Sequence, residues 1–320
     1  MEYRLLGRTG VRVSPLCLGA LNFGGPTLEA EAVRLVHASL DAGVNVVDTA
    51  NTYHGGESER IVGLAVRDRR SQVVLATKVH GRTGSGPNDA GNSRLHVLRA
   101  CEDSLRRLGT DYLDLYQVHR PSPEVPVDET LGALTDLVRA GKVRYLGASS
   151  MWAWQFAKMQ HVAERHGWTR FISMQNHYNL VYREEEREMI PLARDQGVGL
   201  LPWSPLARGF LAGNRGRDDR SAGATSRART DDIALKLYYD DADFLVLEAV
   251  KVLAQQRGVS NAVLAYAWLL SRPGVTSPIV GASQVWQLEE AIRALDLALT
   301  RDECAALEAP YRPHAVLGHT

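Results

Sequence analysis

Four residues of the chain supply a carboxylate, a phenol, an ammonium group and an imidazole: Asp48, Tyr53, Lys78 and His119. In water, neither a phenol nor a lysine exchanges protons readily near neutral pH. A cationic Lys78 beside the phenol would favour the phenolate, and Asp48 would keep Lys78 charged and oriented. His119 could donate a hydrogen bond to a carbonyl oxygen. Together the four groups would make Tyr53 a proton donor in a reduction and a proton acceptor in an oxidation.

Such a relay needs elements that bring the four residues to one place. Eight short apolar or β-branched runs alternate with amphipathic stretches, a pattern typical of βα units around a parallel sheet. The competing open doubly wound sheet usually carries GxGxxG between a strand and a helix, and the sequence lacks this motif. We therefore predict a single-domain (β/α)8 barrel over residues 1–320. The expected strands cover residues 15–20, 44–50, 73–79, 112–119, 143–150, 171–178, 198–205 and 276–283.

Helical patterns follow seven of these strands, and a glycine-containing turn is expected after the first. The stretch SRLHVLRACEDSLRRLG predicts a helix that opens at the capping residue Ser93 and ends at Gly109. One connection, residues 206–241, is too long for an ordinary barrel loop and contains six arginines. It is either a lid that closes over an anionic cofactor or a solvated loop.

A barrel of this kind has its active site at the carboxyl ends of the strands. Asp48, Lys78 and His119 end the second, third and fourth strands, and Tyr53 lies just beyond Asp48. Neighbouring strands are about 4.8 Å apart, so these strand ends form an arc roughly 10 Å long. Taken singly, each residue more often has a structural role, as a cap, a surface charge or a hydrogen-bonded polar group. Their joint position at the correct strand ends favours a shared site.

Composition and charge favour a small-molecule partner. The 37 basic residues balance 37 acidic ones, so no net charge would attract nucleic acid or an anionic membrane. Three cysteines without CxxC spacing predict neither a disulfide framework nor a zinc site, and no metal is expected. Without a signal-like N-terminus or a run of ~18 apolar residues, we expect a cytoplasmic protein. An oligomer is compatible with the sequence, but nothing indicates one.

Several blocks of the sequence resemble the signature blocks of the aldo-keto reductase superfamily, and they extend over nearly the whole chain. They are NVVDTANTYHGGESERIVG, LATKV, DYLDLYQVHR, GKVRYLGASS, MQNHYNL, PWSPLARGFLAG and PIVGAS. The blocks ETLGALTDLVRAGKVRYLGASS and EEEREMIPLARDQGV resemble in particular the bacterial long-chain branch, which is related to potassium-channel β subunits and YajO-type reductases.

The resemblance implies carbonyl reduction with a nicotinamide cofactor, NADP(H) in preference to NAD(H). It places the catalytic tetrad on the four residues described above. It also implies a set of cofactor contacts: Ser149, Ser150 and Gln175 at the nicotinamide amide, Trp203 stacked under the ring, Ser204, Leu206, Arg208 and Gly209 at the pyrophosphate, and Gly281, Ser283, Gln287 and Glu290 at the adenosine end. The sequence departs from many relatives in having Ser150 for Asn, Ser283 or Gln287 for Arg, and Ala291 for Asn.

The mouth of the barrel is expected to receive a medium-sized aldehyde or ketone, because its loops offer aromatic and imidazole side chains. The candidate contacts are Phe23, His54, His80, Met151 and Trp152. Two other interpretations stay open. One is a regulatory or redox-sensing protein that holds the nucleotide and turns over slowly, and the other is a barrel enzyme for phosphorylated sugars that uses no nicotinamide.

Overall fold

An eight-stranded parallel sheet forms the centre of the computed structural model, which describes residues 1–213 and 232–319. An antiparallel hairpin, β1 (Arg4–Leu5) and β2 (Arg12–Val13), precedes the sheet. The sheet strands are β3 (Cys17–Gly19), β4 (Val46–Asp48), β5 (Val74–Val79), β6 (Leu113–Val118), β7 (Val143–Ser149), β8 (Phe171–Gln175), β9 (Gly199–Leu200) and β10 (Ile279–Val280).

The sheet curls into a ring in which the strands are neighbours in the order β10-β3-β4-β5-β6-β7-β8-β9. Beyond β9, the Ile279 amide donates to the Pro202 carbonyl at 2.9 Å, and the Thr276 amide donates to the Leu200 carbonyl at 2.9 Å. These bonds join the two ends of the sheet. The predicted (β/α)8 barrel is therefore confirmed, and each of the eight strands of this sheet falls within its expected range. The hairpin of β1 and β2 was not predicted.

Helices surround the ring of strands. α1 (Glu29–Asp41) follows β3 after the expected glycine-containing turn, which includes Gly24 and Gly25. The other helices are α2 (Glu57–Val66), α3 (Arg94–Leu108), α4 (Val127–Arg139), α5 (Ala153–Arg165), α6 (Met189–Asp195), α7 (Asp232–Leu237), α8 (Asp241–Arg257), α9 (Asn261–Leu270), α10 (Val285–Arg293) and α11 (Arg301–Glu308). None of the helices described here is long and apolar enough to cross a membrane.

The boundaries of α3 show how local sequence sets these elements. The Ser93 hydroxyl accepts the His96 amide at 3.3 Å, and Gly109 ends the helix in the left-handed region with a φ of 62°. The face turned to the barrel buries residues three and four positions apart, which are Val97, Cys101, Leu105 and Leu108. Gly63 of α2 lies so close to α3 that a Cβ there would come within 2.3 Å of the Leu108 carbonyl oxygen.

Strand register places the polar residues of the barrel interior at one end. Lys78 of β5 is level with Gln117 of β6, and Ser149 of β7 is level with Gln175 of β8. The opposite end of the barrel is filled by an apolar cluster that includes Leu6 and residues of the hairpin and strands. The interior is therefore apolar at the amino ends of the strands and polar at their carboxyl ends.

Candidate active site

The ammonium group of Lys78 is the centre of a hydrogen-bonded cluster at the carboxyl ends of β4 and β5. Its Nζ donates to Asp48 Oδ2 at 2.5 Å and to the Thr49 carbonyl at 2.8 Å. The third contact is with the Tyr53 hydroxyl, at 3.1 Å. Lys78 has no exposed surface (0%), so these three oxygen atoms replace the water that a lysine normally keeps. The structure thus brings together three of the four predicted catalytic residues.

Asp48 is itself held from two sides. Its Oδ1 accepts hydrogen bonds from the Gln117 and Gln175 side-chain amides, at 2.8 Å and 2.9 Å, while Oδ2 accepts from Lys78. Gln175 also donates to Gln117 at 3.2 Å. These donors satisfy the buried carboxylate and hold it in one orientation. Gln117 was not anticipated from the sequence, although it lies two residues before His119 and strand alternation turns it into the barrel.

The charge state of Lys78 follows from two opposing effects. Burial disfavours the ammonium form, but the neighbouring Asp48 and Tyr53 outweigh it, so the pKa of Lys78 is raised above the ordinary lysine value. Lys78 is therefore a fixed cation at neutral pH. A fixed cation 3.1 Å from the Tyr53 hydroxyl stabilises the phenolate that would form when Tyr53 gives up its proton.

His119 completes the predicted tetrad from the end of β6. Its ring meets the Tyr53 ring edge to face, with the centroids 5.9 Å apart. Burial, followed by the nearby charges of Lys78 and Arg120, lowers the pKa of His119 well below its usual range. The imidazole is thus neutral at neutral pH and can donate one N–H to an oxygen atom held beside Tyr53.

The residues predicted at the nicotinamide form a second cluster after β7, β8 and β9. The Ser149 hydroxyl donates to the Gln175 carbonyl at 2.8 Å, and the Trp203 indole N–H donates to the Ser150 hydroxyl at 2.8 Å. His177 stacks on the Trp203 ring at 4.0 Å with an interplanar angle of 9°. The predicted cofactor residues are therefore bonded to one another and, through Gln175, to Asp48. The sequence analysis missed the stacking role of His177.

The turn after β9 tests whether the chain suits a dinucleotide. Ser204, Ala207, Arg208 and Gly209 all have positive φ angles, of 55°, 48°, 57° and 96°. The turn is closed by its own hydrogen bonds, in which the Ala207 amide donates to the Ser204 carbonyl at 2.8 Å and the Gly209 and Leu211 amides donate to the Leu206 carbonyl at 2.9 Å and 3.1 Å. It carries the cationic Arg208, and a guanidinium group suits the phosphates of a dinucleotide.

The residues predicted at the adenosine end follow β10. Gln287 caps the start of α10, where its side-chain oxygen accepts the Ser283 amide at 2.7 Å and the Ser283 hydroxyl at 3.1 Å. Gly281 is exposed and Glu290 is partly exposed. A cavity of about 350 Å³ lies between this helix start and α1, and its lining includes Glu31, Ser283, Trp286 and Gln287.

The predicted substrate residues are distributed between the core and the rim. Phe23 is fully enclosed in the main hydrophobic core, which assigns it to packing, and Met151 is also buried there. His54 is exposed, while His80 is partly buried and lies 3.3 Å from the Ser122 hydroxyl. Trp152 is 40% exposed at the rim. Of the long loop predicted as a lid, residues 214–231 lie outside the described part of the chain.

The C-terminal segment, Tyr311–His319, crosses the mouth and was not anticipated from the sequence. The His319 ring meets the Trp152 ring edge to face at 4.9 Å, and its Nε2 lies 2.9 Å from a Glu185 oxygen. Gly318 lies against Trp203, where an added Cβ would come within 3.0 Å of the indole. These contacts join residues more than a hundred positions apart, which local patterns do not reveal.

Comparison with known proteins identifies similar chains. The sequence profile of the aldo/keto reductase family matches residues 15–312. An aldo-keto reductase of Fusarium vanettenii is 43% identical over 100% of this chain and 94% of its own. The versiconal hemiacetal acetate reductase of Aspergillus parasiticus is 41% identical over 99% of this chain and 98% of its own. A provisionally named aryl-alcohol dehydrogenase of Schizosaccharomyces pombe is 40% identical over 99% of this chain and 97% of its own.

Proposed function

Because the chain belongs to the aldo/keto reductase family, we propose that it is an NADP(H)-dependent oxidoreductase that interconverts aldehydes or ketones and alcohols. The observation that carries this proposal is the contact of the buried Lys78 ammonium with both Asp48 and the Tyr53 hydroxyl at the carboxyl end of the barrel. It supplies a positioned proton donor whose conjugate base is stabilised by a fixed charge.

The proton moves at the Tyr53 hydroxyl. In the reducing direction, a carbonyl oxygen bound at this hydroxyl takes its proton as negative charge develops on that oxygen. Lys78 stabilises the resulting phenolate, and Asp48 keeps Lys78 charged and oriented. The neutral His119 donates a hydrogen bond to the same carbonyl oxygen and fixes its position. In the oxidising direction, the Tyr53 phenolate accepts the alcohol proton.

The nicotinamide ring supplies the hydride donor or acceptor when it is bound. We assign Ser149, Ser150 and Gln175 to its amide and Trp203 to its ring face. Ser204, Leu206, Arg208 and Gly209, in the turn after β9, would hold the pyrophosphate, and the Arg208 guanidinium would supply the positive charge. Gly281, Ser283, Gln287 and Glu290 would hold the adenosine end, where the start of α10 favours a phosphate.

The substrate class rests on the rim of the mouth and on the relatives. Trp152, His80 and His54 offer aromatic and polar surface beside the tetrad. The names of two relatives refer to an aryl alcohol and a hemiacetal acetate. We propose a medium-sized aldehyde or ketone as the substrate, with an aromatic group favoured.

We also propose that one domain spans residues 1–320 and acts in the cytoplasm, without nucleic acid or a membrane as a partner. The predicted place in the bacterial long-chain branch stays a prediction, since the relatives named here are fungal.

Two titrations followed by a kinetic screen test the proposal. NADPH and NADH are titrated separately into the protein by nicotinamide fluorescence, and NADPH is expected to bind more tightly. The preferred nucleotide is then used to measure steady-state reduction of an aldehyde panel, with a turnover in the usual range of roughly 1–10³ s⁻¹ expected for good substrates. Tight nucleotide binding with turnover below about one per minute on every substrate would favour the nucleotide-sensing alternative. Absence of nucleotide binding would contradict both.

A further inference from the structure

Arg120 is a largely buried cation beside the tetrad whose positive charge has no acidic partner in the described part of the chain. Its Nη1 donates to the His119 carbonyl at 2.6 Å and lies 3.5 Å from the Ser149 hydroxyl. Three other partly buried arginines have carboxylate partners: Arg70 pairs with Asp114, Arg107 with Glu59 and Arg183 with Glu186. Arg4 and Arg170, which lie outside the mouth, donate to neutral oxygen atoms instead. A neutral carbonyl and a hydroxyl satisfy donors, but they do not neutralise a charge.

Glu124 acts on the neighbouring His80 from a distance, but no carboxylate of the described residues forms an ion pair with Arg120. Burial and, less strongly, Arg120 itself lower the pKa of His80. His119, also neutral at neutral pH, lies on the adjoining side. The carboxylate of Asp48 is already shared by Lys78, Gln117 and Gln175. Arg120 thus provides a surplus positive charge, directly after β6, that is not paired with a carboxylate of the described residues.

The phosphates of a dinucleotide are poorly placed to compensate this charge. Their proposed contacts follow β9 and β10, whereas Arg120 follows β6. In the strand order, β6 lies four positions from β10 in a ring of eight, which is the opposite side of the barrel. The surplus charge therefore faces the substrate side of the mouth rather than the phosphate side.

From this placement we infer that the substrate carries a carboxylate, which the Arg120 guanidinium binds while the carbonyl group lies at Tyr53 and His119. The inference rests on the proposed reductase function and narrows its substrate class to aldehyde or keto acids and the matching hydroxy acids. A planar guanidinium fork matches a carboxylate, and within the described residues only Nη1 is used by protein acceptors.

Matched substrate pairs test this inference. The wild-type protein with NADPH is given 2-, 3- and 4-formylbenzoate and the methyl ester of each, so that every pair differs mainly in the charge. For at least one isomer, kcat/KM for the carboxylate should exceed that for its ester by about tenfold or more, as a buried charge pair would give. Arg120→Gln should reduce this ratio to about one, and Arg120→Lys should retain part of it.

Two controls separate recognition from structure. For Arg120→Gln the readout is the ratio of kcat/KM within each pair, so that any loss of rate common to the carboxylate and its ester cancels. The matched variant Arg165→Gln, at the exposed last residue of α5, should leave every ratio unchanged. A wild-type protein without preference for any carboxylate, or an Arg120→Gln variant with an unchanged ratio, would overturn the inference.

A binding measurement separates failure of this inference from failure of the reductase proposal. Calorimetric titration with benzoate and with benzamide should show that the protein–NADP+ complex prefers benzoate, and that Arg120→Gln loses this preference. If no aldehyde is reduced but benzoate binding depends on Arg120, the anion site stands and the reductase proposal fails. If the neutral esters are reduced and benzoate is not preferred, the reductase proposal stands and the anion site fails.

Discussion

Lys78 and Asp48 form a buried charge pair on which the other groups of the site depend. Neither side chain has the water that normally solvates such charges, so each requires the other and the surrounding donors. The same pair orients the Tyr53 hydroxyl through Lys78. The Lys78–Asp48 pair therefore affects both the stability of the fold and the proposed proton transfer. One substitution at Tyr53 and one at Lys78 are expected to distinguish the two effects.

Tyr53→Phe removes the proposed proton donor and leaves the ring in place. The variant should lose about 10²–10⁴-fold or more in kcat for aldehyde reduction, because general acid catalysis typically contributes that much. NADPH binding should change little, since the ring and its packing remain. The two quantities are measured by steady-state kinetics and by fluorescence titration. Near-normal reduction rates in this variant would mean that another group donates the proton.

Lys78→Met leaves the Asp48 carboxylate buried without its cation. Removing one partner of a buried pair typically costs about 3–5 kcal/mol, so the free energy of unfolding in urea should fall by that order. The double variant Asp48→Asn with Lys78→Met removes both charges and should recover part of the loss. If the single and double variants were equally destabilised, the ion pair would not be the cause.

The tetrad was predictable from sequence because each member ends a strand or lies just after one, and the barrel makes those ends converge. The alternation of side chains along β6 also predicts that Gln117 points into the barrel. A glutamine inside an apolar strand, however, does not indicate which residues it contacts. Arg120 directly follows His119, but its lack of an acidic partner depends on residues from several strands. Such pairings depend on the assembled barrel.

At the scale of elements, the C-terminal segment is tied to α8 through His314. Its Nε2 lies 2.9 Å from Asp243 Oδ1, while Asp243 Oδ2 accepts the Tyr239 amide at 2.9 Å and the Asp240 amide at 3.1 Å. One carboxylate therefore joins the end of the long connection after β9 to the segment that crosses the mouth. The hydrogen bond to Asp243 raises the pKa of His314 above its ordinary value.

The pairing of His314 with Asp243 predicts that its contribution to stability decreases as the pH rises. Because the folded-state pKa of His314 is raised, its stabilising effect is complete below the unfolded histidine pKa of about 6.5 and is lost as pH rises through the folded value. The difference in Tm between wild type and His314→Gln should therefore be largest near pH 5.5 and shrink towards pH 9. Thermal unfolding followed by circular dichroism measures it. A difference that was constant or grew with pH would contradict a charged His314–Asp243 pair.

At the scale of the whole molecule, the repeated βα units could be predicted from the sequence, whereas the C-terminal segment that crosses the mouth could not. The βα rhythm predicted the barrel, and the family blocks identified the turn after β9. The segment Tyr311–His319 contacts Glu185, Trp152 and Trp203, from three different strand ends. No periodic pattern marks such contacts, because they bury few residues and link distant positions.

Cofactor binding should be visible as stabilisation of the folded barrel, since its proposed contacts come from the ends of four strands, β7 to β10. A ligand present at a hundred times its Kd stabilises the folded state by about 2.7 kcal/mol, so NADPH at that level should raise Tm by roughly 4 °C in a chain of this size. Trp203→Ala should lower this shift at the same NADPH concentration, because the indole that stacks on His177 is lost. Tyr53→Phe should keep the full shift. If the Tm shift were undiminished in Trp203→Ala, the nicotinamide would bind elsewhere. If the Tm shift were lost in Tyr53→Phe, Tyr53 would bind the cofactor as well as move the proton.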